Sequence, residues 1–166
     1  MTEIFSTYYQ SPLGLLKISG TENFITEILF IDNIAKPAQN NKKKMPPIMI
    51  NCIEQLIQYF NGERRVFDFP LNQEGTEFQK RVWNELLSIP YGKTISYLEL
   101  SRRLGDPKAI RAAASANGKN SISIVVPCHR VIGSKNDLVG YAGGLKRKKW
   151  LLDLESKIAH GVQTLF

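Results

Sequence analysis

Apolar residues dominate three short runs along the opening segment of the chain, Ile4–Gln10, Leu15–Ser19 and Phe24–Ile31, with polar and breaker-rich stretches between them. Short runs of this kind bounded by turn signals read as strands. Ser11-Pro12-Leu13-Gly14 and Gly20–Asn23 supply turn chemistry between them, so the pattern predicts a three-stranded meander. Asn33–Pro47, with its Asn-Asn-Lys-Lys-Lys run and Pro46-Pro47, is polar and rich in breakers, and predicts an exposed loop. A helical period follows. Ile48, Cys52, Ile53, Leu56, Ile57 and Phe60 recur at three- and four-residue steps, predicting a helix opened by Pro47 and ended at Asn61-Gly62. A short strand is predicted over Val66–Leu71.

Beyond the polar Asn72-Gln73-Glu74-Gly75 the pattern is helical. Thr76 and Gln79 form a capping box ahead of Phe78, Val82, Trp83 and Leu86, and Ile89-Pro90-Tyr91-Gly92 stops that helix. Ser96 with Glu99 repeats the capping pattern for a second helix through Leu104. Gly105 ends it, and Asp106-Pro107 starts a third. A helix, a glycine break and another helix have the spacing of a helix-turn-helix. In the third helix the small side chains, Ala112, Ser115 and Ala116 among them, either approach a nucleic-acid groove or pack against a neighbouring helix. The fold class is therefore α/β (α+β). A small N-terminal sheet-and-helix domain over 1–74 precedes a mostly helical domain with a helix-turn-helix over 75–166.

Charge sharpens this division. The chain of 166 residues carries a net +7, but residues 1–75 hold 7 basic and 8 acidic side chains, and residues 76–166 hold 15 and 7. The second half attracts polyanions; a solvated basic surface is the alternative reading. The apolar runs Ile28–Ile31 and Ile122–Val126 are far shorter than the ~20 residues of a membrane span. With no basic-then-apolar leader either, a cytoplasmic protein without membrane contact is expected.

Cys52 and Cys128 are the only cysteines and His129 and His160 the only histidines, too few for a four-ligand zinc site of the usual spacing. Cys52 falls inside the predicted first helix, where a small buried residue fits. Cys128 differs. It comes after the β-branched run Ser121–Val126, read as extended, and stands directly before His129 and Arg130. A thiol attacks as thiolate, and a base or a cation nearby lowers its pKa. Neighbours in an extended chain point to opposite sides, so His129 can act on Cys128 only if the backbone turns, or through a bridging water. A carboxylate would then be wanted to orient the imidazole.

Pro127-Cys128-His129-Arg130-Val131, preceded by Asn120 and followed by Gly140-Tyr141-Ala142-Gly143-Gly144 and Trp150-Leu151-Leu152-Asp153-Leu154-Glu155, resembles the methylated-DNA–protein-cysteine methyltransferases. The resemblance runs over about Gly75–Glu155, and the N-terminal strands fit that family's ribonuclease H-like first domain. It implies DNA repair by irreversible, single-turnover transfer of an alkyl group from the O6 position of guanine to Cys128, with O4-alkylthymine as a second candidate substrate.

It also implies roles. Cys128 looks like the acceptor, His129 like the base that reaches it through a water, Glu155 like the carboxylate that orients His129, and Asn120 like the residue that holds the active-site turn. Tyr97 matches the tyrosine that donates to the flipped guanine, and Arg111 the arginine that fills the gap in the duplex. Ala112, Ser115, Ala116, Asn117 and Arg130 would accompany Arg111 on the DNA. The backbones of Cys128 and Val131 would read the guanine amino group, and the loop Tyr141-Ala142-Gly143 would close on the base, with the Ala142 amide on its oxygen.

Physical reasons accompany the analogy. The alkyl carbon is hidden in the base stack, so the nucleotide must be extruded, and an inserted side chain offsets that cost. A thioether carries no good leaving group, so nothing could restore the thiol. No metal or nucleotide motif is present, and no cofactor is expected. The partner implied is double-stranded DNA containing O6-alkylguanine, bound by a monomer. Three positions depart from relatives: Ser123 where some have proline, Ala142 where some have serine, and Ser156 in place of glycine. Non-catalytic lesion binders carry tryptophan in place of the cysteine, and Cys128 argues against that reading.

Overall fold

The computed structural model describes residues 2–32 and 44–161, and the loop expected over Asn33–Pro47 falls mostly outside them. Among the described residues no helix is long and apolar enough to cross a membrane. The chain divides into two compact units: residues up to Gln73 together with Ser121–Ser123, and Glu74–Asn120 together with the chain from Ile124 onward.

The first unit is the meander with one helix. Strands β1 (Phe5–Ser11), β2 (Gly14–Gly20) and β3 (Ile25–Phe30) form an antiparallel sheet in the order β1-β2-β3. The register pairs Tyr9 with Leu16 and Ile18 with Ile28, which puts Leu16, Ile18, Ile25 and Ile28 out of solvent. Helix α1 (Pro47–Phe60), opened by proline in its first turn, is in contact with all three strands. Its buried residues are Met49, Cys52, Gln55, Leu56, Tyr59 and Phe60, so the buried face is rotated relative to the one the periodicity predicts, and Ile57 is exposed. The aromatic pair Tyr59–Phe60 packs edge to face and outcompetes the smaller isoleucine for the core. Cys52 is fully buried, and burial pushes its thiol up to about 12, which fits an inert packing residue.

No strand forms over Val66–Leu71. Only Leu71 bridges, to Ile25, while the Val66 carbonyl is taken by the Arg64 guanidinium at 2.8 Å and its side chain faces solvent. The tripeptide Ser121–Ser123 completes this unit. Ile122 bridges to Ile28, with Ile28 N donating to Ser121 O at 2.8 Å and Ser123 N donating to Ile28 O at 3.0 Å.

The second unit is mostly helical. Helix α2 (Glu77–Leu86) carries the full capping box, Thr76 Oγ1 accepting from Gln79 N at 3.1 Å and Gln79 Oε1 from Thr76 N at 2.9 Å. Helix α3 (Tyr97–Arg103) is capped by Ser96, and Gly105 takes φ +87°, a value that favours glycine, to turn the chain out of it. Helix α4 (Ile110–Gly118) begins later than Asp106-Pro107 predicts. The Asp106 carboxylate accepts from Lys108 N at 2.9 Å and closes a turn there instead of capping the helix. Helix α5 (Leu145–His160) ends at Gly161 in the left-handed conformation. Two short strands, β4 (Ile95–Ser96) and β5 (Val131–Ile132), pair in parallel and were not legible in the sequence pattern.

Candidate active site

The segment from Asn120 to Val126 does not extend as its β-branched composition predicts. After the single bridge at Ile122 it turns, and buried Ile124 adopts φ +73°, a rare and strained value for a β-branched residue. Asn120 holds the turn, its Nδ2 donating to Val126 O at 2.9 Å, and Cys128 N donates to the same carbonyl at 2.8 Å. Cys128–Arg130 then form one turn of 3-10 helix. The backbone therefore turns at the nucleophile, which is the condition for His129 and Cys128 to share one side of the chain. The β4–β5 pairing, Ile95 to Val131 and Ser96 to Ile132, ties this turn to the start of α3, where Tyr97 stands.

Glu155 of α5 holds His129 and Arg130 together. It accepts from His129 Nε2 at 2.7 Å, from Arg130 Nε at 2.8 Å and from Arg130 Nη2 at 3.1 Å. Burial would raise the Glu155 carboxyl, but its hydrogen bonds to His129 and Arg130 and the Arg130 charge outweigh it and hold the group well below the usual carboxylate range. Burial lowers the His129 imidazole against the opposing pull of Glu155, so it rests neutral. A neutral ring bonded to a carboxylate through Nε2 carries its proton there, leaving Nδ1 as a bare acceptor. Nδ1 is buried and meets no protein hydrogen-bond partner. The arrangement presents a base with its lone pair free and its far side anchored.

Cys128 is 4% exposed. Burial pushes its thiol up, opposed by the Asn120 side chain and the Lys148 charge. The resting group is thus a thiol, not the preformed thiolate that neighbouring His129 and Arg130 suggest from sequence. Chemistry here requires the proton to leave during the reaction, which is the task of a general base.

Around Cys128 the structure brings together Tyr97, Asn117, Val131 and a lysine that sequence reasoning missed. Lys148 is fully buried and donates to Val131 O at 2.6 Å, Val139 O at 2.8 Å and Gly140 O at 3.1 Å. Desolvation lowers it to about 8, partly countered by Cys128. It lies within the basic run Lys146-Arg147-Lys148-Lys149. Its spacing to Leu151, Leu152 and Glu155, all buried, was the available signal that it faces inward. The Tyr97 hydroxyl donates to Val139 O at 3.0 Å, and burial raises its pKa, which keeps its proton in place. Tyr141, Ala142 and Gly143 lie on the loop just beyond Gly140, ahead of α5; Ala142 is exposed and the other two are half-buried.

Helix α4 separates the residues assigned to DNA. Arg111, Ala112 and Ser115 are exposed together on one side. Ala116 and Asn117 are not on that face, being 2% and 3% exposed. Trp83 Nε1 donates to Ala116 O at 2.9 Å, so one part of the small-residue surface packs helix on helix and the other part faces outward. Asn117 Nδ2 donates to Cys128 O at 3.3 Å, which turns this side chain toward Cys128 and away from the exposed face. Arg130 is corrected likewise: its guanidinium is committed to Glu155 and, through Nη1 at 2.7 Å, to Ile89 O, leaving it inside the unit instead of on a phosphate.

The chain is similar to known proteins over most of its length. Residues 77–157 match the family model described as 6-O-methylguanine DNA methyltransferase, DNA binding domain, and residues 4–73 match that of its ribonuclease-like domain. The methylated-DNA–protein-cysteine methyltransferase of Mycolicibacterium paratuberculosis is 46% identical over 94% of both chains. The crystal structure of the Mycobacterium tuberculosis O6-methylguanine methyltransferase superposes with a TM-score of 0.83 at 41% identity, covering 96% of this chain and 97% of that one. M. tuberculosis OGT in complex with DNA gives 0.81 at 42% identity over 91% and 92%.

Proposed function

The chain belongs to the 6-O-methylguanine DNA methyltransferase family, and within it we propose that Cys128 is the residue that takes the alkyl group. The activity is DNA repair by transfer of a methyl group from methylated DNA to a cysteine of the protein itself, and DNA is the partner. The lesion is O6-alkylguanine in a duplex, extruded into the pocket formed by Tyr97, Asn117, Cys128, Val131 and the loop from Val139 to Gly143. The observation that carries the assignment is His129: Nε2 held by Glu155 and Nδ1 without a protein partner, in the same 3-10 turn as the buried thiol.

The steps follow from these groups. The Cys128 proton passes through a bridging water to His129 Nδ1, and the imidazolium formed is stabilised by ionised Glu155. Sγ attacks the alkyl carbon; the C–S bond forms as the C–O6 bond breaks, and its electrons pass into the guanine ring. Tyr97, still protonated, gives its proton to the ring so that charge does not accumulate there. The imidazolium and tyrosinate then rebalance their proton with solvent. The thioether left on Cys128 has no leaving group, so each chain reacts once.

Arg111 on the exposed face of α4 occupies the space the nucleotide vacates, with Ala112 and Ser115 against the backbone. We further assign the site to a C-terminal domain over 75–166, apart from an N-terminal domain over 1–74, in a cytoplasmic monomer. The test is single-turnover transfer from duplex DNA carrying labelled methyl on guanine O6. No more than one methyl per chain should appear, on Cys128. Multiple turnover, or label retained by Cys128→Ser, overturns the assignment.

A further inference from the structure

Asn117 leaves α4 toward the nucleophile and is 3% exposed. Its Nδ2 donates to Cys128 O at 3.3 Å, and the same amide hydrogen-bonds the Tyr97 hydroxyl. Oδ1 is buried and meets no protein partner, so both bonds run through Nδ2, whose two hydrogens suffice for them. The Tyr97 oxygen therefore accepts from Asn117 while its own proton goes to Val139 O at 3.0 Å. An empty buried acceptor is costly. This orientation of the amide survives because turning it over would set Oδ1 against the Cys128 carbonyl.

We propose that Asn117 is a positioning residue of the transfer, with Nδ2 holding the Tyr97 oxygen while its proton passes to the departing base. This rests on the assignment of Cys128 as acceptor. As the C–O6 bond breaks and its electron pair enters the ring, the Tyr97 proton moves to the ring and a phenolate is left behind. Toward Val139 that oxygen then faces a carbonyl, lone pair against lone pair. The bond from Asn117 stays in place and becomes charge-assisted, roughly twice as strong as before. A donor that strengthens only as charge develops speeds the step without tightening the ground state. Burial raises the pKa of Tyr97, and the bond from Asn117 opposes that rise. The Lys148 ammonium, 5.9 Å from the centre of the Tyr97 ring, adds a cation on the same group.

The experiment compares single-turnover transfer to Cys128 from duplexes carrying O6-methylguanine and O6-methyl-8-azaguanine, whose departing anion is less basic and depends less on an acid. Asn117→Leu, close in shape but without the donor, should slow transfer from O6-methylguanine by about 10-fold or more, as for a lost donor to developing charge. Transfer from the 8-aza base should slow by no more than about 3-fold. On a Tyr97→Phe background the same substitution should change the rate by no more than about 3-fold, because the hydroxyl it serves is gone. A purely structural role, through packing or the Cys128 carbonyl, would slow both bases equally and would persist on that background. Equal slowing of the two bases, an undiminished effect on the Tyr97→Phe background, or no slowing at all overturns the role of Asn117 alone. Should Asn117→Leu fail to fold, Asn117→Ala decides by the same comparisons. Absence of label on Cys128 in the wild type overturns the assignment beneath it as well.

Discussion

Glu155 accepts Nε2 of His129 at 2.7 Å and, with its other oxygen, Nε of Arg130 at 2.8 Å, so one buried carboxylate fixes both residues next in sequence to the nucleophile. Removing Arg130 would leave the Glu155 charge unpaired in the interior. Both bonds favour the ionised carboxylate, and the one to His129 also sets the tautomer.

Glu155→Gln should therefore slow transfer. The neutral amide stabilises an imidazolium poorly and can present its NH2 to Nε2, displacing the proton to Nδ1 where the base must be free. A decrease of about 10²-fold in single-turnover rate is expected, as for a misoriented general base. DNA affinity, measured by fluorescence anisotropy, should stay near that of the wild type. An unchanged rate would remove Glu155 from the relay.

Arg130 and Arg111 should behave as opposites. Arg130→Ala leaves Glu155 buried with half its partners and should cost about 3–5 kcal/mol of stability. Arg111→Ala, on the exposed face of α4, should cost no more than about 0.5 kcal/mol but weaken transfer from duplex DNA. Thermal melts and transfer from duplex substrate distinguish them. Affinity should also fall steeply with salt through loss of phosphate contacts, and the slope should be shallower in Arg111→Ala but not in a folded Arg130 variant.

Acid should destabilise the protein in two stages. His129 is lowered on folding, so below about 6.5 the unfolded chain takes a proton that the folded one refuses, and stability falls as pH falls. Glu155 is also lowered on folding. Its contribution is complete above about 4.3 and is lost as pH drops through the folded value. Urea midpoints measured from pH 7.5 to 5 should show the first stage, and His129→Gln should flatten it. The transfer rate should hold somewhat below pH 6.5, because the buried base stays neutral there.

Lys148→Met keeps the stem but withdraws the donor shared by Val131, Val139 and Gly140. Val139 O keeps the Tyr97 hydroxyl, but a carbonyl left without any donor costs about 1–3 kcal/mol if it stays buried, so the loop should loosen. A lower melting temperature, with faster amide hydrogen exchange over residues 139–144, is the expected outcome. Unchanged exchange there would mean that Lys148 does not hold the loop.

What could be read from sequence was local or carried by family resemblance. The capping box at Thr76–Gln79, the glycine stop at Gly105 and the short apolar runs of the first strands with the turns between them are decided by residues a few positions apart. The grouping around Pro127-Cys128-His129-Arg130 identified the chemistry. Where sequence misread the chain, distant residues decided. Arg130 looked like a DNA contact because its partner, Glu155, lies 25 residues on along the chain. Lys148 went unread because the carbonyls that satisfy it come from a strand and a loop brought to it by folding. Ser121–Val126 has strand composition, but a single bridge to Ile28 and the Asn120 side chain bend it into the turn that presents Cys128. Cys128 itself was legible as a nucleophile, whereas its protonation was not: the desolvation that keeps it a thiol, and so makes His129 Nδ1 necessary, exists only once the chain has closed around it.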